Sequence, residues 1–294
     1  MTQNISIGIF GLHSYIGNRF AHYVEDDDYW KVQFIKSRTD EWENLDFSQY
    51  DVLVHAAAVV HSSKKPSLEE AYFAINRDLP IMVASKAKNE GVGQFIFLSS
   101  MLVYGDSDNM NHAQCISKTT EPHPTDFYGK SKLEAEKELL HLQTDGFVVS
   151  LPRLPMVYGE GCKGNFPRLV NLALHTVVFP DIENQRSMIY VDNLCEFLKL
   201  SIMNRYSGIL FPQNSEYVAT KRIVAYVAEH CGHHIFFTPI FNELLRYSSR
   251  KMPAISKLFG TKIYDKSLSP NLDRYNLVGF EESISRYLGK FYNT

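Results

Sequence analysis

The stretch Ile5-Ser6-Ile7-Gly8-Ile9-Phe10-Gly11-Leu12-His13-Ser14-Tyr15-Ile16-Gly17 reads as a buried strand that runs through a glycine turn into a helix. Strand, glycine turn and helix in such close succession form a dinucleotide-binding fingerprint. Gly11 would make the tight turn and Gly17 would let helix and strand pack closely, while the helix N-terminus around Tyr15 and Ile16 would offer backbone N–H groups to a pyrophosphate. Ser14 stands where a second glycine is usual. Its hydroxyl reads either as a donor to phosphate or as a plain turn serine.

Downstream, short β-rich apolar runs recur at 32–35, 52–54, 95–98 and 147–151, separated by helical patterns such as 68–90. This alternation gives an α/β fold with a doubly wound parallel sheet of the Rossmann type. Segment 41–50 is too short for a full strand–helix unit, so the third strand is expected to be clipped. No repeat or Pro/Gly-rich linker interrupts the chain, which favours two interleaved domains. At the end of the second strand, NAD-selecting folds of this kind carry an acidic residue for the ribose 2′-hydroxyl. Here the sequence is Lys36-Ser37-Arg38. That cationic pair suits a 2′-phosphate, so NADP(H) is the expected cofactor, with Asp40 keeping NAD(H) open.

Tyr128-Gly129-Lys130-Ser131-Lys132 sets a phenol and an ammonium four residues apart, on one face of a helical pattern over 127–141. A lysine charge held there would favour the ionised form of a phenol whose ordinary pKa is about 10, letting Tyr128 act as acid or base.

Gly11-x-x-Ser14-x-x-Gly17, Leu98-Ser99-Ser100 with Val103-Tyr104-Gly105, Tyr128 to Lys132, and Arg153-x-Pro155-x-Val157-Tyr158-Gly159 together resemble the extended short-chain dehydrogenase/reductases. More narrowly they resemble the NAD-dependent epimerase/dehydratase branch, which acts on nucleoside-diphosphate sugars. The resemblance spans residues 5 to about 215. It implies a catalytic set of Ser100, Tyr128 and Lys132, with Ser100 hydrogen-bonding the reacting oxygen and Lys132 lowering the Tyr128 pKa while holding the cofactor ribose. His55, Ala56 and Ala57 resemble the small-residue turn beneath the dinucleotide. Asn76 matches an asparagine that supports the active-site strand ends, and Pro155 falls on the cofactor side. Arg186 would grip a diphosphate and Asn165 would hold a phosphate or sugar oxygen, while Lys163, Arg168 and Arg274 read either as further phosphate contacts or as ordinary surface charge.

The resemblance also implies a dinucleotide-binding domain over 1–159, continued at about 187–215. A smaller, mostly C-terminal substrate-binding domain would take 160–186 and 216–294. Met101 and Leu102 replace the Asp-Glu pair of the sugar dehydratases, and two apolar side chains cannot transfer protons, so water elimination is disfavoured. The favoured reaction is reduction of a 4-keto nucleoside-diphosphate sugar, the alternative is C4 epimerisation, and the setting is nucleotide-sugar metabolism and polysaccharide biosynthesis. A non-catalytic dinucleotide-sensing scaffold is the reading from another class, disfavoured by the intact Ser100, Tyr128 and Lys132. A homodimer through the helices at 68–90 and 127–141 is expected.

Composition narrows the partners. The chain of 294 residues is 45% hydrophobic, enough for a sizeable core, and carries a net charge of −3 with a pI near 6.4. No basic run exceeds two residues, as at Lys64-Lys65, so nucleic-acid binding through a charged face is not expected. No stretch approaches the ~20 apolar residues that span a bilayer. Without a leader pattern before the first strand, a cytoplasmic location is expected. Cys115, Cys162, Cys195 and Cys231 lie far apart and read as free thiols. His230-Cys231-Gly232-His233-His234 looks like a metal tract but follows a helical pattern and sets a glycine at its end, and no metal is expected.

Overall fold

Apolar runs enclosed on both faces leave the first part of the chain one arrangement, a parallel sheet flanked by helices. The structure, a computed structural model, describes residues 4–37, 39–60, 66–106, 110, 112–249 and 251–289. Strands β1 (Ile5–Phe10), β2 (Trp30–Ile35), β3 (Val52–His55), β4 (Gln94–Phe97), β5 (Val148–Leu154) and β6 (Gly208–Leu210) lie in the order β6-β5-β4-β3-β1-β2, every pair parallel. The chain passes from β1 to one side for β2 and to the other for β3. The topological switch therefore falls between β1 and β3, where such sheets open a ligand crevice. Register aligns Phe10 with Ile35 on one side and His55 on the other. Gly11 and Ala56 consequently leave the sheet side by side.

Between β2 and β3, among the described residues, the chain makes two 3₁₀ turns, Asp40–Asn44 and Phe47–Gln49. No third strand forms there, and β2 is the sheet edge. Trp42 and Phe47 turn inward instead, their ring centroids 6.1 and 5.8 Å from that of Phe10.

Helices α1 (Tyr15–Val24), α2 (Leu79–Asn89) and α3 (Phe127–His141) position the residues of interest. The single helix read over 68–90 is broken: Glu69–Phe73 is α-helical, Ala74–Asp78 forms a π turn, and α2 follows with Pro80 in its first turn. Pro80 has no N–H to give the carbonyl four residues earlier, which belongs to Asn76, so the regular ladder cannot run through this point.

Two compact units result: Met1–Gly105, Glu121–Leu154 and Cys195–Pro212 form one, and Asp106–Thr120, Pro155–Leu194 and Gln213–Thr294 form the other. The second unit is built on short parallel pairs, Gln114–Ile116 with Lys262–Tyr264, Met156–Tyr158 with Met188–Tyr190, and Val178–Pro180 with Phe236–Thr238. Residues 106–120 and 155–159, which the sequence reading kept with the dinucleotide-binding part, fall in this unit through the first two of these pairings. Gly232 adopts φ +67° and closes the helix Thr220–His230, while His233 Nε2 bonds the Thr176 carbonyl oxygen at 2.6 Å. Among the described residues no cluster of His, Cys, Asp and Glu has the form of a metal site, and no helix is long and apolar enough to cross a membrane.

Candidate active site

Asp126 caps α3, its Oδ1 accepting from the Gly129 N–H at 2.8 Å. Tyr128 thus sits in the first turn and Lys132 one turn later on the same face. Gly129 between them has a packing reason: a Cβ there would lie 2.5 Å from the Leu102 carbonyl oxygen. Its absence lets the 3₁₀ turn Met101–Tyr104 press onto the helix. Ser100 starts that turn, its Oγ accepting from the Leu102 N–H at 3.2 Å, and its backbone pairs with Leu154 beyond β4. This sets the Ser100 hydroxyl beside the Tyr128 phenol, close enough to act on its ionisation.

Burial pushes the Tyr128 phenol up to about 12, opposed by the Ser100 hydroxyl and helped by the nearby Asp126 and Tyr72. The phenol is protonated at neutral pH. Lys132 Nζ donates to the Leu98 carbonyl at 2.8 Å and lies 4.0 Å from the Phe97 ring centroid. Burial drives Lys132 itself down to about 7, against the pull of Glu136.

Glu136, four residues beyond Lys132, anchors a buried network that the sequence reading missed. Arg153 on β5 donates to it from Nε at 3.1 Å and from Nη2 at 2.6 Å. Ser99 donates to Glu136 Oε1, and Arg153 Nη1 donates to Tyr104 Oη at 2.5 Å. The i, i+4, i+8 series Tyr128, Lys132, Glu136 was a signal for it, and Arg153 sat within a motif already singled out.

On the dinucleotide side, Gly11 adopts φ +118°, and a Cβ would lie 2.9 Å from the Ala57 backbone nitrogen. Gly17 packs on β1, where a Cβ would meet Ile9 Cγ2 at 3.0 Å. Ser14 is the N-cap of α1, its Oγ accepting from the Gly17 N–H at 3.2 Å, so its acceptor capacity serves the helix. Tyr15 and Ile16, both half-buried, begin that helix. Asn18, also missed, pins the turn by donating to the Leu12 and Ser14 carbonyls at 3.0 and 2.8 Å. A cradle that only glycine fits, against the small Ala56–Ala57 backbone and beside a capped helix N-terminus, suits a dinucleotide pyrophosphate.

Other sequence-selected residues lie differently. The His55 imidazole is fully enclosed, stacked 5.9 Å from Phe10 and tilted against Phe95 and Phe97. Its side chain is a core group, driven down to about 3 by burial and then by the Lys132 charge. Asn76 is also fully buried, and both its polar atoms are engaged: Oδ1 accepts from Val59 N–H at 2.8 Å, and Nδ2 donates to Val59 O at 2.9 Å and Ser131 Oγ at 3.4 Å. It ties the loop after β3 to α3 and is a positioning residue. Pro155 is buried directly after β5. Lys36 is 62% exposed and paired with Glu41 at 3.2 Å, and Arg38 lies outside the described residues.

Within the second unit, Asn165 and Arg186 come together on one cavity of 490 Å³, joined by Arg168 and Lys257 among apolar walls that include Leu169, Met188 and Ile223. Gly164, at φ +96°, precedes Asn165, the first residue of the helix Asn165–His175. Arg186 Nη1 donates to the carbonyls of Lys257 and Gly260 at 2.6 and 3.1 Å. Burial lowers its pKa to about 10, offset by Asp106, which leaves it charged at neutral pH. Lys163 and Arg274 do not line this cavity.

A glycine-cradled switch point on a parallel sheet flanked by helices defines a Rossmann-type dinucleotide-binding fold. Residues 7–210 match the family model described as NAD dependent epimerase/dehydratase family, and the chain belongs to that family. UDP-glucose 4-epimerase of Vibrio cholerae is 34% identical over 186 residues, 60% of this chain and 55% of that protein. The chain spans about half the length of the curated relatives it matches. Among solved structures, the enzyme WbmG of Bordetella bronchiseptica in complex with NAD and UDP has a TM-score of 0.75 at 18% identity, covering 99% of this chain and 95% of that one. A dTDP-4-dehydrorhamnose reductase from Clostridium acetobutylicum has a TM-score of 0.71 at 17% identity, covering 98% and 100%.

Gly129→Ala is expected to destabilise the first unit by about 1–3 kcal/mol, because the added methyl meets a backbone carbonyl that cannot move without the Ser100 turn. Urea unfolding checks the cost, and an unchanged midpoint would contradict the contact. His55 and Lys132 set a pH dependence of one sign. From pH about 3 to 6.5 the unfolded chain binds a proton at His55 that the folded chain does not, and from about 7 to 10.5 the same holds at Lys132. Stability therefore rises with pH across both windows. His55→Phe should remove from the lower window a slope of up to about 1.4 kcal/mol per pH unit, measured by urea unfolding at a series of pH values. An unchanged slope would mean that the imidazole reaches water.

Proposed function

We propose that the chain inverts the configuration at C4 of a nucleoside-diphosphate sugar, using NAD. The observation that carries this reading is Ser100 set beside Tyr128 on the helix that Asn76 ties to the loop beside Gly11. Gly11, Gly17 and the Ser14-capped start of α1 would hold the pyrophosphate. The dinucleotide, when bound, supplies the two-electron oxidation and reduction at C4. Ser100 would orient the C4 oxygen by hydrogen bonding, and Tyr128, having first released its own phenol proton to water, would take the proton from that oxygen as the alcohol becomes a ketone and return it when the ketone is reduced again. Lys132 would hold the ribose of a bound dinucleotide, and with its pKa down to about 7 it could donate or release a proton there. Met101 and Leu102 carry no proton to transfer, which keeps the reading away from dehydration. Asn165 and Arg186, converging on one cavity, are read as the pair that holds the diphosphate.

Pairing of Lys36 with Glu41 removes half of the reason for a 2′-phosphate and moves the cofactor reading towards NAD(H). The 34% identity to a protein named as a 4-epimerase supports inversion. Reduction of a 4-keto sugar is the second reading, favoured by a phenol raised to about 12, which is ready to protonate a ketone oxygen. A homodimer through the outer faces of α2 and α3 belongs to the same proposal.

Tyr128→Phe should lower turnover by about 10²- to 10⁴-fold, the usual scale of a lost acid–base group, while dinucleotide affinity stays within several-fold. A panel of UDP- and dTDP-sugars and their 4-keto forms, read by sugar NMR and nicotinamide absorbance, gives the rates. Retained activity would remove Tyr128 from the mechanism. Lys36→Ala should cost less than about 1 kcal/mol in affinity for either NAD(H) or NADP(H), as befits an exposed, already paired charge. Titration with both dinucleotides tests this, and a selective loss for NADP(H) would put the reductase first.

A further inference from the structure

A helix on a protein surface normally turns an apolar stripe inward. The helix Asn242–Ser249 does not: Ser249 is its one buried residue among those described. Leu244 and Tyr247 face outward, and Leu245 is half-buried. Continuing from the 3₁₀ turn Pro239–Phe241, Ile240, Leu244 and Tyr247 follow the i, i+4, i+7 spacing of one helical face, and they are 80%, 64% and 66% exposed. Phe236, on the strand leading into this turn, is 69% exposed, and Phe241 and Met252 add to the outward apolar surface. Cations accompany it. Across 236–252 the sequence carries Arg246, Arg250 and Lys251 against the single carboxylate of Glu243, a local positive charge on a chain of net charge −3. Lys251 is exposed, and Arg246 pairs with the exposed Glu243 at 2.9 Å.

We propose that the segment 236–252 docks on the surface of an anionic lipid bilayer, with Ile240, Leu244, Tyr247 and Phe236 entering the headgroup–acyl boundary and Lys251 and Arg246 meeting lipid phosphates. Outward aromatic and aliphatic groups flanked by arginine and lysine are the chemistry an interfacial segment needs. The span is far too short to cross the bilayer, so binding is peripheral and reversible. A second copy of the chain would bring like charge against like charge at Lys251 and Arg246, which disfavours it as the occupant. None of these residues belongs to the Ser100–Tyr128–Lys132 set or lines the cavity of Asn165 and Arg186, so the docking surface stands apart from the functional reading.

Cosedimentation with phosphatidylcholine vesicles, with and without phosphatidylglycerol, tests the proposal without substrate or cofactor. The protein should pellet with the anionic vesicles, less with neutral ones, and release as salt rises. The double variant Leu244→Ser, Tyr247→Ser should lose binding by about tenfold or more, and Lys251→Glu should lose it selectively on anionic vesicles. Both variants change exposed side chains only and should keep the rate on a water-soluble nucleotide sugar. Failure of the wild-type protein to bind anionic vesicles, or equal binding by the double variant, would overturn the proposal. Light scattering that shows a dimer lost in the double variant, with no vesicle binding by either protein, would assign the face to a second copy instead.

Discussion

The buried pair Glu136–Arg153 holds the candidate active site in place. Arg153 lies on β5 and Glu136 on α3, with side chains 4% and 2% exposed, so their two-pronged contact fixes the rotation of the helix against the sheet. Tyr128 and Lys132 lie on the same helical face as Glu136. Any turn of α3 that moved the phenol from Ser100 would pull the carboxylate off the guanidinium. Ser99 donates to the same carboxylate and its backbone pairs with Arg153, so the strand end carrying Ser100 is tied to the same point. Two charges withdrawn from water are costly, and a well-packed apolar pair is often as stable, whereas loss of one partner costs about 3–5 kcal/mol. What the pair contributes over an apolar contact is direction, since a guanidinium accepts a carboxylate in few orientations.

The same pair governs the charge at Lys132. An ammonium buried against Phe97 loses most of its hydration, and Glu136 offsets part of that loss while being shared with Arg153. His55, whose ring tilts against Phe97 at 5.9 Å, stays neutral because burial and the lysine charge act in the same direction. A neutral imidazole with hydrophobic neighbours is then a filler of the aromatic cluster formed by Phe10, Phe95 and Phe97. Trp42 and Phe47 complete that cluster from the turns between β2 and β3, so the missing third strand is replaced by packing at the sheet edge.

Features carried by contiguous residues were legible in the sequence. The run from Ile5 to Gly17 encodes strand, turn and helix through local sterics, and the Tyr128–Lys132 spacing encodes a shared face. Features decided by distant partners were not. Nothing near Lys132 announces that its ammonium will be used by the Leu98 carbonyl, and nothing near Lys36 says that Glu41 will take its charge. Residues 106–120 join the second unit because Gln114–Ile116 finds Lys262–Tyr264, a pairing far apart in sequence. The break in the helix read over 68–90 had a local sign, Pro80, but its consequence lies elsewhere: the π turn carries Asn76, whose amide clamps Val59.

Arg186 illustrates how the second unit organises a charge without a carboxylate bonded to it. Its Nη1 is held by two backbone carbonyls, and its backbone exchanges hydrogen bonds with Val218. Lys257, which supplies one of those carbonyls, directs its own ammonium to Asp106 at 3.1 Å. The guanidinium is therefore fixed before any ligand arrives, and among the described residues no carboxylate pairs with it directly, Asp106 acting on it only at a distance. A side chain with several free rotors would lose about 0.5–1.5 kcal/mol on being ordered by a ligand. A fork already anchored through one nitrogen loses less, so more of the attraction for a diphosphate would remain as affinity.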